Sequence, residues 1–408
     1  MKPPTSVPRA GIRSITLAGN KAKVEGKAKR KSEAKAENKA DRKSKTKAGA
    51  KANRQTNAKA EDRVDRKSKA KADGRPGHPA AAKPAADPRP YADLSPDRIL
   101  DAVESIGLVT DGRLLALNSY ENRVYQIGIE EGQPLIAKFY RPGRWSDAAI
   151  LEEHAFTLAL AEREIPAVPP LVLGGQTLHQ HGGYRFSLSP RRGGRSPELG
   201  HAEVLTWLGR FLGRIHALGE TLPFRHRPSL DIASFGEEPR AFLLGQGWLP
   251  QELKAVYAEV SAQALDEVRR LFALAGPIRP LLLHGDCHVG NLLWTDAGPH
   301  FVDFDDSRMG PAVQDLWMLL SGNRDEMAAQ LDLLLAGYQD FRAFDFRELH
   351  LIEALRTLRL LHYSAWLARR WEDPAFPLAF PWFNSPRYWE ERIQELREQI
   401  DAMREPPL

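Results

Sequence analysis

The sequence predicts an α+β fold in two parts, a small antiparallel sheet carrying one helix and then a larger helical region, preceded by a disordered basic extension. Three observations carry that reading. Strand-like runs at 114–118, 123–129 and 134–140 follow one another over short connections, with Gly132 in the turn between the last two. From His201 onward apolar residues recur at helical spacing, as in Val204, Leu205, Leu208, Phe211, Leu212 and Ile215. Residues 20–73 are rich in Lys and Ala and hold almost no large apolar side chains, so nothing offsets the entropy of ordering them.

Taken in order, residues 1–90 divide into that Lys/Ala-rich stretch and a Pro/Ala-rich linker from Gly74 to Pro90. The extension reads as a solvated tail, with an electrostatic tether to nucleic acid or acidic lipid as the competing use. The first folded part spans 91–190. Ser95-Pro96 is a helix N-cap followed by Pro at the first helical position, and Ile99, Leu100, Val103 and Ile106 supply the apolar stripe. A helix from Asp147 to Glu164 follows the three strands, then a hairpin-like region from Leu171 to Ser189. The second part, 191–408, is helical, with further apolar repeats over 251–274 and 351–368. Two short strands, 280–283 and 300–304, bracket the segment HGDCHVGN.

Composition narrows the function. The 408 residues are 42% apolar, enough for a sizeable core. Charge is uneven: residues 1–90 carry 26 Lys and Arg against 9 Asp and Glu, whereas residues 91–408 carry 32 against 44. An acidic body argues against binding nucleic acid, which requires clustered cations to neutralise phosphates, and leaves only the basic extension for that purpose. Cys287 is the single cysteine, so no intramolecular disulfide can form. No run of 18 apolar residues exists and the first twenty residues lack an apolar signal core, so a monomeric cytoplasmic protein without a membrane partner is expected.

The chemistry resides in two segments. Phosphoryl transfer needs a carboxylate for the acceptor hydroxyl, ligands that hold Mg²⁺ against phosphates, a Lys on the phosphates and a loop covering them. Asp286 follows a short strand and Asn291 lies five residues on, the spacing of a catalytic Asp and a metal-binding Asn. Asp303, between Val302 and Phe304, is a carboxylate among apolar neighbours that needs a partner, and Mg²⁺ suits it. An isolated Asp or Asn is a turn residue; the joint pattern at fixed spacing is not.

HGDCHVGN (284–291) with FVDFDD (301–306) resembles the signature of the aminoglycoside phosphotransferase and choline kinase superfamily, distant relatives of protein kinases. The blocks LNSYENRVYQ (117–126), KFYRPGRW (138–145), ILEEH (150–154), GPAVQDLWMLL (310–320) and RRWEDPAFP (369–377) narrow the likeness to the bacterial stress response kinase A family, over residues 93–408. That resemblance implies a bilobal protein-kinase-like fold with ATP between the lobes and the linker at 188–191 against adenine. Asp286 would be the catalytic Asp, Asn291 and Asp303 would bind Mg²⁺, and Lys138 would hold the phosphates. Glu153, rather than its neighbour Glu152, would pair with Lys138. The phosphate loop would be 118–122, which contains no glycine, so backbone N–H groups and the Ser119 hydroxyl would do the work.

Asp315 is expected to brace the catalytic loop, and His284 and His288 to organise it, their spacing fitting no zinc pattern. Cys287 reads as a small buried thiol, with a redox switch as the rarer use. The implied acceptor is Ser or Thr on proteins, the kinase itself included, in a stress response. A small hydroxyl compound, such as an aminoglycoside, choline or a homoserine-like acceptor, is the alternative. A catalytically inactive scaffold is disfavoured because Lys138, Asp286, Asn291 and Asp303 are all present.

Overall fold

A computed structural model describes residues 89–408. The disordered extension expected from composition lies, but for its last two residues, outside the described residues. Helix α1 (Pro96–Glu104) starts where the sequence places it: the Ser95 hydroxyl accepts the Arg98 N–H at 3.3 Å. Five strands follow, β1 (Thr110–Ala116), β2 (Arg123–Ile129), β3 (Leu135–Phe139), β4 (His179–His181) and β5 (Tyr184–Pro190). They form one antiparallel sheet in the order β1-β2-β3-β5-β4. Helix α2 (Asp147–Glu162) interrupts them, with the Ser146 hydroxyl accepting the Ala149 N–H.

Alternation along β3 sets up the site. Ala137 and Phe139 are fully buried in a core with Ile99, Val103, Ile127, Phe186 and Leu188. Side chains alternate across a strand, so Lys138 must leave by the other face. It sits opposite Val124 on β2 and Ser187 on β5, in the middle of the sheet.

The helical part comprises α3 (Ala202–Gly219), α4 (Glu238–Gly245), α5 (Gln251–Ala275), α6 (Val313–Trp317), α7 (Arg324–Tyr338), α8 (Ile352–Arg370), α9 (Ala375–Ala379) and α10 (Pro386–Ala402). Its own core gathers Leu208, Leu212, Leu334, Leu358 and Trp389. Helices α3 and α7 approach closely because both carry glycine at the crossing. A Cβ on Gly209 would stand 2.0 Å from the Leu334 carbonyl oxygen, and one on Gly337 2.1 Å from that of Thr206. Among the described residues no helix is long and apolar enough to cross a membrane.

The short strands depart from the sequence reading. Four are present rather than two: β6 (Leu281–Leu283) pairs with β9 (Arg308–Gly310), and β7 (Leu292–Thr295) forms a hairpin with β8 (Gly298–Phe301). The expected strand at 300–304 therefore ends at Phe301. Asp303 lies beyond it, in left-handed backbone (φ 59°, ψ 63°) that breaks the ladder. Strands of three and four residues are too short to reveal a period, which is why the hairpin was not legible.

Candidate active site

The loop after β6 is held from below. The Asp315 carboxylate accepts the backbone N–H of His284 and of Gly285, both at 2.8 Å, and meets His216 Nε2 at 3.0 Å. Asp315 therefore braces the loop. Gly285 (φ +87°) is required there, because a Cβ would lie 2.3 Å from the Asp306 carbonyl oxygen. His284 Nε2 bonds the Val302 carbonyl at 2.9 Å, tying the loop to the segment that carries Asp303. His288 Nδ1 accepts the Gly290 N–H, and its Nε2 stands 3.4 Å from Asp286 Oδ2. Both histidines organise the loop by hydrogen bonding. The Cys287 thiol is fully buried and burial pushes its pKa well up, so it carries no thiolate.

Asp286 itself projects between two cavities. Its Oδ1 meets the Arg359 guanidinium at 2.8 Å, and Asn291 Nδ2 donates to its backbone carbonyl at 3.0 Å. Burial favours the neutral acid, but His288 and Arg359 together outweigh it and hold the carboxyl well below the usual range. Asp286 is thus ionised, as a proton acceptor must be.

Across the cleft, Lys138 Nζ reaches Asp303 Oδ1 at 3.1 Å and Asp305 Oδ1 at 3.2 Å. Burial alone would drive the ammonium's pKa down; the two carboxylates reverse this and raise it. The expected Lys138–Glu153 ion pair is not what forms. Glu153 is buried in the same cleft, 3.9 Å from Arg227 Nη2, with one carboxylate oxygen lacking a hydrogen bond. Burial pushes its pKa up, against the pull of Lys138 and Arg227. Asp305, buried and ionised, is the carboxylate that demands a cation, so it and Asp303 take Lys138. Glu152 is excluded as a rival because it accepts the backbone N–H groups of Arg225 and His226.

The segment 118–122 forms the turn between β1 and β2 and lines the cleft. The Ser119 hydroxyl donates to the Asn122 carbonyl at 2.9 Å, so it closes its own turn. Asn122 Oδ1 accepts the Arg141 N–H. Glu121 is the residue that sequence reasoning missed. Its carboxylate is bound by Trp366 Nε1 (2.6 Å), Arg370 (3.0 Å) and Arg141 (3.1 Å). Arg123 and Arg141 in turn hold Asp373, and Arg144 binds Asp305 and Asp306. Three of the quoted blocks, 117–126, 138–145 and 369–377, thus meet in one charge network that pins the loop to the end of α8. The signal was a surplus of Arg and acids in those blocks; the pairing between them is tertiary.

The cleft between the sheet and the loop that carries Asp286 has a volume of about 680 Å³ and is lined by Lys138, Asn291 and Asp303 as well as Pro190, at the edge expected to face adenine. A second cavity of about 510 Å³ adjoins it, walled by one face of α8 carrying Arg359, His362, Tyr363, Trp366, Arg369 and Arg370. The i, i+3, i+4 spacing of that polar and aromatic face is readable in the sequence, but not its destination. Asp286, Tyr120 and Trp366 line both cavities.

A divalent cation suits this donor set. Asp303 offers a half-exposed carboxylate beside the Asn291 amide, and Mg²⁺ is ordinarily held by one or two protein oxygens plus phosphates and water. Among the described residues no three His, Cys, Asp or Glu side chains form a nest by themselves, so phosphate would have to complete the shell.

The model of the phosphotransferase enzyme family (APH) matches residues 113–352. Stress response kinase A of Escherichia coli (strain K12) is 44% identical over 318 residues, covering 78% of this chain and 96% of that protein. Serine/threonine protein kinase RdoA of Salmonella typhimurium (strain LT2) is 43% identical with the same coverage. Among solved structures, an amicoumacin kinase aligns with a TM-score of 0.58 at 19% identity, over 76% of this chain and 94% of its own. A microcompartment-associated aminopropanol kinase gives 0.57 at 20%, over 75% and 95%. At such identities the structural likeness establishes the fold, a bilobal kinase-like one.

Proposed function

The chain belongs to the phosphotransferase enzyme family and, within it, to the stress response kinase A family, and from that premise we propose that it is an ATP- and Mg²⁺-dependent serine/threonine protein kinase that also phosphorylates itself. The observation that carries this reading is the meeting of Lys138, Asn291 and Asp303 in one cleft with an ionised Asp286, which stands at the seam with the adjoining cavity. The 43%-identical relative named a serine/threonine protein kinase supports a protein acceptor.

In this scheme the nucleotide lies in the 680 Å³ cleft with its adenine at residues 188–191. Lys138 and the backbone N–H groups of 118–122 hold the phosphates, and the carboxylates of Asp305 and Asp303 favour a protonated Lys138. Asn291 and Asp303 hold Mg²⁺, which neutralises charge on the phosphates when bound. The acceptor hydroxyl enters from the other cavity. The Asp286 carboxylate takes its proton as the new O–P bond forms and the bond from the γ-phosphorus to ADP breaks.

Incubating the purified protein with γ-labelled ATP, Mg²⁺ and either protein or small hydroxyl acceptors tests the reading. Label is expected on Ser and Thr of protein and on the kinase. Transfer confined to small molecules would overturn it.

A further inference from the structure

The acceptor cavity is charged against the trend of the molecule. Residues 91–408 carry more acids than bases, yet this cavity is lined by Arg144, Arg308, Arg359, Arg369 and Arg370 against only Asp286 and Asp306. Three of the five are already matched. Arg144 and Arg308 bind Asp306, and Arg370 binds Glu121. Among the described residues Arg359 forms an ion pair with Asp286 alone. Arg369 forms no ion pair with any described acid and rests over the Phe242 ring at 4.8 Å. A guanidinium at the wall of a partly desolvated cavity, whose neighbouring acid Glu238 acts on it only from beyond ion-pair distance, is suited to take a closer counter-charge from a ligand.

We infer that the acceptor is an acidic Ser/Thr segment, its hydroxyl at Asp286 and a carboxylate or phosphate group on Arg369; this rests on the protein-kinase reading above. The spacing follows from helix geometry. Arg359 and Arg369 are ten residues apart on α8, a rise of about 15 Å at 1.5 Å per residue. Arg359 marks the catalytic end, because it touches Asp286. An extended peptide advances about 3.3 Å per residue, so the acidic group lies four or five residues from the phosphorylated hydroxyl. The aromatic faces of Tyr363, Trp366 and Phe380 line the path between. Basic segments and small cationic acceptors are repelled by the same arginines, which ties specificity to charge sign.

The test uses the full chain with MgATP and matched Ser peptides bearing either Glu or Lys four and five residues to each side of the acceptor. The acidic peptide is expected to have at least about tenfold higher kcat/KM at low salt, the advantage shrinking as salt rises. Arg369→Gln should remove most of that preference, and Arg369→Glu should invert it. Because the readout is a ratio between two peptides on one enzyme, a general loss of activity in a variant does not mimic the result. Equal use of both peptides, or preference for the basic one, overturns the inference and leaves the kinase reading standing. Absence of transfer to any peptide overturns both.

Discussion

The two cavities that meet at Asp286 are built with opposite charge. The cleft under the sheet presents Glu121, Glu153, Asp286, Asp303, Asp305 and Asp306 against Lys138, Arg144 and Arg192. The cavity along α8 presents five arginines against two aspartates. A polyphosphate is itself an anion, so an acid-rich pocket suits it only if the ligand arrives with cations of its own. A pocket rich in arginine suits an anion that comes without them. The difference teaches that the sign of a site's charge reports on the ligand together with its counter-ions, and that under the proposed assignment the acceptor and the nucleotide would be distinguished electrostatically before any contact is considered.

Breaking the first cavity should have the largest effect. Asp303→Ala removes the exposed carboxylate proposed to hold Mg²⁺, and activity is predicted to fall to about one thousandth or less, since metal-borne charge stabilisation contributes several kcal/mol. A titration of activity against Mg²⁺ checks it. Full activity there, together with loss in Asp305→Ala, would move the metal to Asp305 and leave Asp303 as a partner of Lys138. Asp286→Asn breaks the seam instead. Turnover should drop about 10²–10⁴-fold with nucleotide affinity nearly intact, as expected for loss of general-base assistance. Turnover within threefold of the parent would remove Asp286 from the chemistry.

The tie between the phosphate loop and α8 is structural and should be smaller in effect. Glu121→Ala leaves Arg370 and Arg141 short of a partner in a largely buried network, and a loss of about 3 kcal/mol is predicted from denaturant unfolding. An unchanged midpoint would mean that the clamp contributes nothing net. Away from both cavities, burial pushes Glu348 up to about 7 although its carboxyl accepts the Val313 N–H. The folded protein then retains a proton that the unfolded chain sheds above about pH 4.5. Its contribution is present below that pH and is lost as pH rises through 7, by at most about 3 kcal/mol. Glu348→Gln should flatten the fall in melting temperature between pH 5 and pH 8, and a parallel fall would count against it. Deleting residues 1–88 should change least. If the charge contrast belongs to residues 89–408 alone, phosphoryl transfer to an added substrate and the melting temperature at 150 mM salt remain those of the full chain. A melting point several degrees lower would bring the basic segment into the working structure.

The sequence by itself determined the parts whose physics is local. Cap chemistry placed the start of α1 at Ser95, the start of α2 was read at Asp147, β2 was legible to the residue, and spacing put Asp286 and Asn291 together in one loop. Asp315 was legible too, because a carboxylate at the start of a buried helix has few uses other than bracing a neighbouring backbone. The tertiary structure alone decided which charges pair. Lys138 stands 165 residues from Asp303, and Glu121 stands 249 from Arg370. Each partner had several plausible mates in the sequence, Glu153 among them. Opposite charges select one another by distance and burial, and both are set only once sheet and helices have packed. For the same reason the arginine face of α8 could be read as a periodic stripe, while the cavity it walls exists only in the folded chain.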